Sequence, residues 1–114
     1  MCIQNLTEDT LIVVLPKEPH RGDELERINE IASDRGDCNV VVEFSRVEML
    51  TSTSICNLMI LHKLLSGFGH RLILCNVPFL IKCTFTVTGL EAFFEFADDM
   101  SAALESIQHV QHID

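Results

Sequence analysis

The first two-thirds of the chain alternates short runs of apolar, β-branched side chains with longer polar stretches. Residues 11–15, 40–44 and 71–75 are runs of this kind, and their length and composition are typical of β-strands. The run at 40–44 shows no alternation of apolar and polar positions, so we expect a strand buried on both faces. A weaker strand at residues 2–6 is predicted to pair with residues 11–15 across a turn at residues 7–9.

Between these strands the apolar residues recur at helical spacing. Asp23 opens one such segment, and Gly36 is predicted to end the helix. Residues 16–22 contain two prolines and a glycine, which predicts an irregular connector before that helix. Residues 55–65 form a second helical segment that is more apolar and is followed closely by two glycines.

The C-terminal third continues the same alternation. Pro78 suits the first turn of a helix that a Thr-Gly pair ends about ten residues later. A short strand is predicted within residues 91–96, and Asp98 or Asp99 is predicted to cap a last helix. Strands that alternate with helices over short links predict a single α/β domain over residues 1–114, with a central mixed sheet of four to five strands and about four helices.

The charge and composition narrow the classes of function. The chain has 8 basic and 17 acidic residues and a formal net charge of −9, so we expect neither nucleic acid nor an anionic membrane as partner. Hydrophobic residues make up 47% of the chain, which argues against disorder. The sequence shows no secretory signal pattern and no stretch that approaches a membrane span. Five cysteines without a C-x-x-C pair indicate reduced thiols, and we expect a cytoplasmic protein.

Four hydroxyl residues stand where the buried strand gives way to the apolar helix. Thr51, Ser52, Thr53 and Ser54 occupy this junction directly before Ile55. A hydroxyl at such a position can cap the helix by accepting a hydrogen bond from an unpaired backbone N–H group. The same helix end suits a phosphate, because it offers free donors and the positive end of the helix dipole. The residue types alone therefore leave both a plain cap and a phosphorylation site open.

The sequence around this junction resembles a STAS domain, the fold of bacterial anti-sigma-factor antagonists. The family signature is an apolar strand, an acidic residue, Ser-x-Val, two apolar residues, and Asp-Ser-Ser-Gly-Leu at the start of a helix. Residues 41–55 read VVEFSRVEMLTSTSI, in the same spacing. Residues 74–77 (LCNV), 88–90 (TGL) and 93–96 (FFEF) are similar to further family motifs.

The resemblance implies a regulatory role in transcription. Ser52 aligns with the serine that a cognate anti-sigma kinase phosphorylates, whereas Thr51 replaces the family aspartate and Ser54 the family glycine. A bacterial anti-sigma-factor antagonist of this kind binds an anti-sigma factor with serine kinase activity in a partner-switching pathway. Phosphorylation at Ser52 would control that binding. Thr51 and Thr53 stay open as alternative acceptors.

The expected contact surface lies on the helix that follows the hydroxyl run. Met59, Ile60 and Leu61 are consecutive and apolar, and one helix face cannot bury all three against its own sheet. A helix nearly enclosed by its neighbours is the alternative. The residues predicted to bind the partner are Thr51, Ser52, Thr53, Ser54, Ile55 and Met59.

Other functions remain as alternatives or find no support. A STAS scaffold that assembles with other STAS-domain proteins without phosphorylation, a weak homodimer and a small anionic ligand at the helix end all stay open. No Gly-rich phosphate loop and no oxyanion motif accompany Ser52, so we predict no enzyme, catalytic residue or cofactor. Cys56, Cys75 and Cys83 are interpreted as small core residues. His109 and His112 share a helical face but lack further ligands, so no metal site is predicted.

Overall fold

The computed structural model describes the backbone of residues 2–7, 10–15, 21–35 and 38–112 and the side chains of residues 10–15, 25–34 and 38–107. The strands are β1 (Cys2–Thr7), β2 (Thr10–Val14), β3 (Asn39–Glu43), β4 (Leu72–Cys75) and β5 (Glu95–Ala97). The helices are α1 (Arg21–Arg35), α2 (Ser52–Gly67), α3 (Phe79–Val87) and α4 (Met100–His112), with a 3₁₀ turn at Leu90–Phe93.

The described strands form one mixed sheet in the order β1-β2-β3-β4-β5. β1 pairs with β2 in antiparallel fashion, and each later strand joins its predecessor in parallel. The parallel pairs require crossovers, which α1, α2 and α3 with the 3₁₀ turn provide. A mixed sheet of four to five strands with about four helices was predicted, and this architecture is confirmed.

The sheet is covered on both faces, as the uninterrupted apolar runs predict. Alternate residues of β3, Val40 and Val42, point into the larger core, which α1, α2 and α3 complete. Val41 points to the opposite face, where it packs with Ala103 and Ile107 of α4. Both cores consist mainly of aliphatic side chains, so burial of apolar surface holds the helices against the sheet.

An aromatic cluster fixes α3 over the larger core. The fully buried ring of Phe85 lies edge-to-face against three others, with centroid distances of 6.5 Å to Phe44, 5.5 Å to Phe94 and 5.5 Å to Phe96. These rings come from α3, β5 and the segments that flank β3 and β5. Phe85 is therefore the central ring of the cluster, and it joins α3 to the sheet.

Some predicted boundaries are wrong. α1 begins at Arg21, inside the stretch predicted as a connector, because no proline follows Pro19 to prevent the first helical turn. The strand predicted within residues 91–96 is only Glu95–Ala97, since Gly89 with φ 77° starts a 3₁₀ turn that occupies the preceding residues. Asp99 is the cap of α4, and its Oδ1 accepts a hydrogen bond from the Ala102 N–H at 2.8 Å.

Several predicted features lie outside the described residues. These are Gly36 as the end of α1, most of the turn between β1 and β2, and residues 16–20 of the connector. The side chains of His109 and His112 are likewise outside the described part, although α4 extends through both positions. Among the described residues, no helix has the length and apolar character needed to cross a membrane.

Candidate functional site at the beginning of helix α2

The loop that leads to α2 is fastened to the end of the sheet by one carboxylate. Glu43 Oε1 accepts hydrogen bonds from the N–H and the hydroxyl of Ser45, both at 2.8 Å. Its Oε2 accepts a bond of 2.9 Å from Asn76 Nδ2. Asn76 has φ 53°, a left-handed conformation that asparagine tolerates better than most residues. Glu43 thus ties together the loops that follow β3 and β4.

Apolar anchors hold the remainder of this loop. Val47 is buried, and its N–H donates to the Phe44 carbonyl at 2.9 Å. Leu50 packs against the larger core, whereas Met49 remains 57% exposed. With one anchor on each side of Met49, the chain reaches Thr51 in a fixed position at the start of the helix.

Thr51 is the cap of α2, as predicted for this hydroxyl run. Its backbone is extended (φ −93°, ψ 163°), and its Oγ1 accepts a hydrogen bond from the Ser54 N–H at 3.1 Å. The Thr51 hydroxyl also donates to Ser54 Oγ at 3.0 Å. The first backbone bond of the helix runs from the Ile55 N–H to the Thr51 carbonyl at 3.0 Å. Thr51 and Ser54 therefore satisfy each other at this helix end.

Ser52 occupies the first position of α2 with its side chain exposed, next to the exposed Thr53. Within the described residues, neither hydroxyl takes part in a hydrogen bond. The first turn of α2 contains no acidic residue that would repel an added negative charge. Ser52 therefore presents an accessible hydroxyl at the positive end of a 16-residue helix, where an anion is favoured.

The six residues predicted to contact a partner do not all reach the surface. Ser54 is fully buried, and its hydroxyl accepts a hydrogen bond from Thr51, so its side chain does not reach the surface. Its contact with a partner stays a prediction that this burial does not favour. Ile55 is half-buried, and Met59 is 37% exposed. The exposed part of the predicted surface thus consists of Thr51, Ser52 and Thr53, with Met59 two turns further along the helix.

The outward face of α2 is partly apolar. Leu58, Leu61 and Leu65 are buried in the larger core, whereas Ile60 remains 50% exposed beside Met59. A shallow groove of about 430 Å³ lies along this face, lined by Met59, Ile60, His62, Lys63, Ser66 and Phe93. The expectation that α2 exposes surplus apolar residues therefore holds for Met59 and Ile60 but not for Leu61.

Sequence reasoning missed a second exposed apolar group at the same edge of the sheet. Phe79 and Leu80, at the start of α3, are 79% and 74% exposed. Because β3 and β4 are parallel, α2 and α3 both begin beyond the same ends of the strands. The signal available in the sequence was the consecutive run Phe79-Leu80-Ile81, which one helix face cannot bury.

The three cysteines predicted as core residues differ in their burial. Cys75 is buried, and burial, with the charges of Glu43 and Asp99 as smaller contributions, raises the pKa of its thiol to about 11. The prediction that Cys56 is a core residue is wrong, because it lies on the exposed side of α2, and Cys83 is only partly buried. Among the described residues, no group of three or more histidine, cysteine or acidic side chains is arranged to hold a metal ion.

Comparison with known proteins gives a consistent structural answer. No family model and no curated protein sequence matches the chain. A STAS-domain anti-sigma-factor antagonist from Planctomyces limnophilus matches with a TM-score of 0.76 at 17% identity, over 94% of this chain and 97% of that one. The Bacillus cell fate determinant SpoIIAA, in its phosphorylated form, matches with a TM-score of 0.70 at 20% identity, over 96% of this chain and 97% of that one. A chain from the molecular architecture of the stressosome, a signal integration and transduction hub, matches with a TM-score of 0.78 at 16% identity, over 98% of this chain and 100% of that one.

These matches extend over nearly the full length of each chain, while the sequences have diverged widely. Sequence identities between 16% and 20% support a shared fold but do not establish a shared partner or activity. The chain has the STAS fold of the anti-sigma-factor antagonists. The resemblance that residues 41–55 and 74–96 indicate is thereby confirmed at the level of the fold.

Proposed function

We propose that this protein is an anti-sigma-factor antagonist that binds an anti-sigma factor with serine kinase activity through the beginning of α2. Phosphorylation of Ser52 would break that complex, and the protein would act in the cytoplasm to regulate transcription. The observation that carries the proposal is the exposed Ser52 hydroxyl in the first turn of α2, directly after the capping residue Thr51. The similar fold of SpoIIAA, solved in a phosphorylated form, supports it.

The fold itself can accept a phosphate at this position. A phosphoserine carries about −1.5 to −2 charges and three strong acceptor oxygens. At Ser52 these oxygens would meet the free N–H groups of the first turn and the positive end of the α2 dipole. The cap between Thr51 and Ser54 does not involve the Ser52 hydroxyl, so it would persist after modification.

A protein docked over the same helix end would not accept the phosphate. An unpaired charge that is desolvated in an interface costs several kcal/mol. The total binding free energy of a micromolar complex is only about 8 kcal/mol, so this cost is enough to dissociate it. Met49, Phe79 and Leu80 are exposed at the same edge of the sheet and would supply apolar contact around Ser52.

The three neighbouring hydroxyls differ in their suitability as acceptors. The Thr51 oxygen already accepts from the Ser54 N–H and donates to the Ser54 hydroxyl, so phosphorylation there would remove the helix cap. Thr53 is exposed and is the competing acceptor. Ser52 is preferred over Thr53 because it aligns with the phosphorylated serine of the STAS signature.

A second candidate is a STAS scaffold that assembles with like domains and is not phosphorylated. The hydroxyl run lacks the aspartate and glycine of the signature, which are replaced by Thr51 and Ser54. The apolar groove beside Met59 and Ile60 offers a surface for such assembly, and the stressosome match supports it.

Intact-mass measurement separates the two candidates. The protein is incubated with ATP and the anti-sigma kinase encoded beside it, and the phosphate adduct is localised by peptide mapping. We expect one phosphate on the wild type and on Thr53→Ala, and none on Ser52→Ala. An adduct that persists in Ser52→Ala would refute the assignment of the acceptor. A stable complex with another STAS chain, with no adduct, would favour the scaffold.

A further inference from the structure

A groove between α1 and α2 combines negative charge with an unsatisfied buried acceptor. It encloses about 590 Å³ and is lined by Glu26, Asn29, Glu30, Ser33, Asp34, Asn57 and Ile60. We call this the α1–α2 groove. We propose that it binds an arginine-bearing, amphipathic segment of a partner protein.

The acidic side of the groove is a row along one face of α1. Glu26, Glu30 and Asp34 follow one another at intervals of four residues, and all three side chains are exposed. Four residues advance a helix by about 6 Å, so the row spans about 12 Å. Within the described residues, none of these carboxylates forms an ion pair or a hydrogen bond. The row is thus available to cations outside the chain.

The buried acceptor belongs to Asn29, which is only 9% exposed. Its Nδ2 donates to the Asn57 carbonyl at 3.2 Å and lies 3.5 Å from Asn57 Oδ1. Because these two atoms are acceptors, the amide cannot be turned around without placing oxygen against oxygen. Asn29 Oδ1, on the other arm of the amide, has no hydrogen-bond partner among the described residues. A buried acceptor left unpaired destabilises the fold, so a donor supplied from the groove would be favoured.

The shape and composition favour an extended cationic segment over a single ion. No described group of three or more acidic, histidine or cysteine side chains converges closely enough to hold a metal. A row about 12 Å long instead matches guanidinium groups spaced by one helical turn. An arginine can also donate several hydrogen bonds at once, which would satisfy Asn29 Oδ1 together with a carboxylate.

The apolar side of the groove accounts for the amphipathic character of the segment. Ile60 is 50% exposed and lines both the α1–α2 groove and the neighbouring groove formed with Met59 and Phe93. A leucine stripe beside the arginines would cover this apolar surface. A second copy of this chain is a poor candidate, since its net charge of −9 opposes self-association.

The probe for the test is a fluorescein-labelled peptide that carries arginine at every fourth position and leucine on the adjacent stripe. Its binding to the full-length, unphosphorylated protein is followed by fluorescence anisotropy. We expect saturable binding that weakens about five- to tenfold in Glu26→Gln/Glu30→Gln, because two exposed ion pairs are lost. The control, Asp98→Asn/Glu105→Gln, removes the same charge elsewhere and should change Kd by less than about twofold.

The buried acceptor is tested separately. Asn29→Leu should weaken binding of the peptide more than Glu26→Gln/Glu30→Gln and more than the control double variant. Circular dichroism checks that Asn29→Leu still folds. If this variant does not fold, chemical-shift mapping of the peptide on the wild type replaces it, with changes expected at residues 26–34 and 57–60. Equal weakening in the two double variants, or shifts spread over the surface, would overturn the proposal.

Two further measurements cover the other occupants. Saturable binding of calcium or magnesium that shifts the same amides, or dimerisation that is abolished by Glu26→Gln/Glu30→Gln, would contradict a protein segment as the occupant. Neither kinase nor ATP enters these assays. The α1–α2 groove can therefore be tested independently of Ser52 phosphorylation.

Discussion

Helices α2 and α3 begin at the same edge of the sheet, after neighbouring parallel strands, yet their first turns differ in chemistry. α2 opens with exposed hydroxyls behind a side-chain cap, in which Thr51 accepts from the Ser54 N–H. α3 begins after Pro78, with no side-chain cap, and exposes Phe79 and Leu80. One helix start suits an anion, whereas the other suits an apolar contact.

The difference shows how one topology can provide two parts of a switch. Parallel strands deliver both helix starts to one edge, where loop residues decide the local chemistry. A partner that covers this edge would gain apolar contact from Phe79 and Leu80 and meet the hydroxyl of Ser52. A phosphate on Ser52 would oppose that same contact, so under the proposed function the two helix starts would act on one complex in opposite directions.

The largest expected effect concerns how α3 is anchored. Phe85→Ala removes the central ring of the aromatic cluster and should lower the free energy of unfolding by about 3–5 kcal/mol. Phe79→Ala removes the same side chain from the exposed start of the same helix and should change it by less than about 0.5 kcal/mol. Chemical denaturation of the two variants measures both values. Similar losses in both would show that the start of α3 is not a free surface.

A smaller effect is expected at the cap of α2. Thr51→Ala removes the acceptor for the Ser54 N–H and should cost about 1 kcal/mol in the free energy of unfolding. Thr51→Ser keeps the hydroxyl and should retain most of the stability. An unchanged midpoint of denaturation in Thr51→Ala would mean that α2, like α3, begins without a functional side-chain cap.

The smallest effect tests the dipole at the start of α2. Ser52→Asp places a negative charge in the first turn and should stabilise the fold by about 0.3–1 kcal/mol at low salt. Ser66→Asp places the same charge on an exposed serine in the last turn of α2 and should destabilise it by a similar amount. Thermal unfolding at low and high salt measures the difference between the variants. If the unfolding temperature shifted equally in Ser52→Asp and Ser66→Asp, the helix dipole would have no measurable effect on stability.

The sequence predicts the architecture well because the buried strands are uninterrupted apolar runs. Residues 40–42 and 72–75 have no charged or strongly polar side chain, so burial on both faces was the expected arrangement. The cap at Thr51 was predictable for a similar reason, because a hydroxyl directly precedes an apolar helical segment. These features depend on local composition and need no knowledge of tertiary contacts.

Features that depend on tertiary placement were less predictable. Ser54 was expected at the surface, but its side chain is fully buried, and the packing of the first turn of α2 decides this rather than residue type. Phe79 and Leu80 stand in an apolar run, and they are exposed because the face of α3 that carries Ile81 and Phe85 is the one packed against the core. The unpaired Asn29 acceptor arises from the packing of α1 on α2, which leaves no trace in residue spacing.

The central claim is that a phosphate on Ser52 acts on a bound partner and leaves the fold intact. The most direct measurement compares fully phosphorylated and unmodified protein in two assays, the free energy of unfolding and the Kd for the anti-sigma factor. We predict a change in unfolding free energy below about 1 kcal/mol and a Kd weakened at least about a hundredfold, equivalent to about 2.7 kcal/mol. An unchanged Kd, or a loss of several kcal/mol in folding stability, would contradict this account.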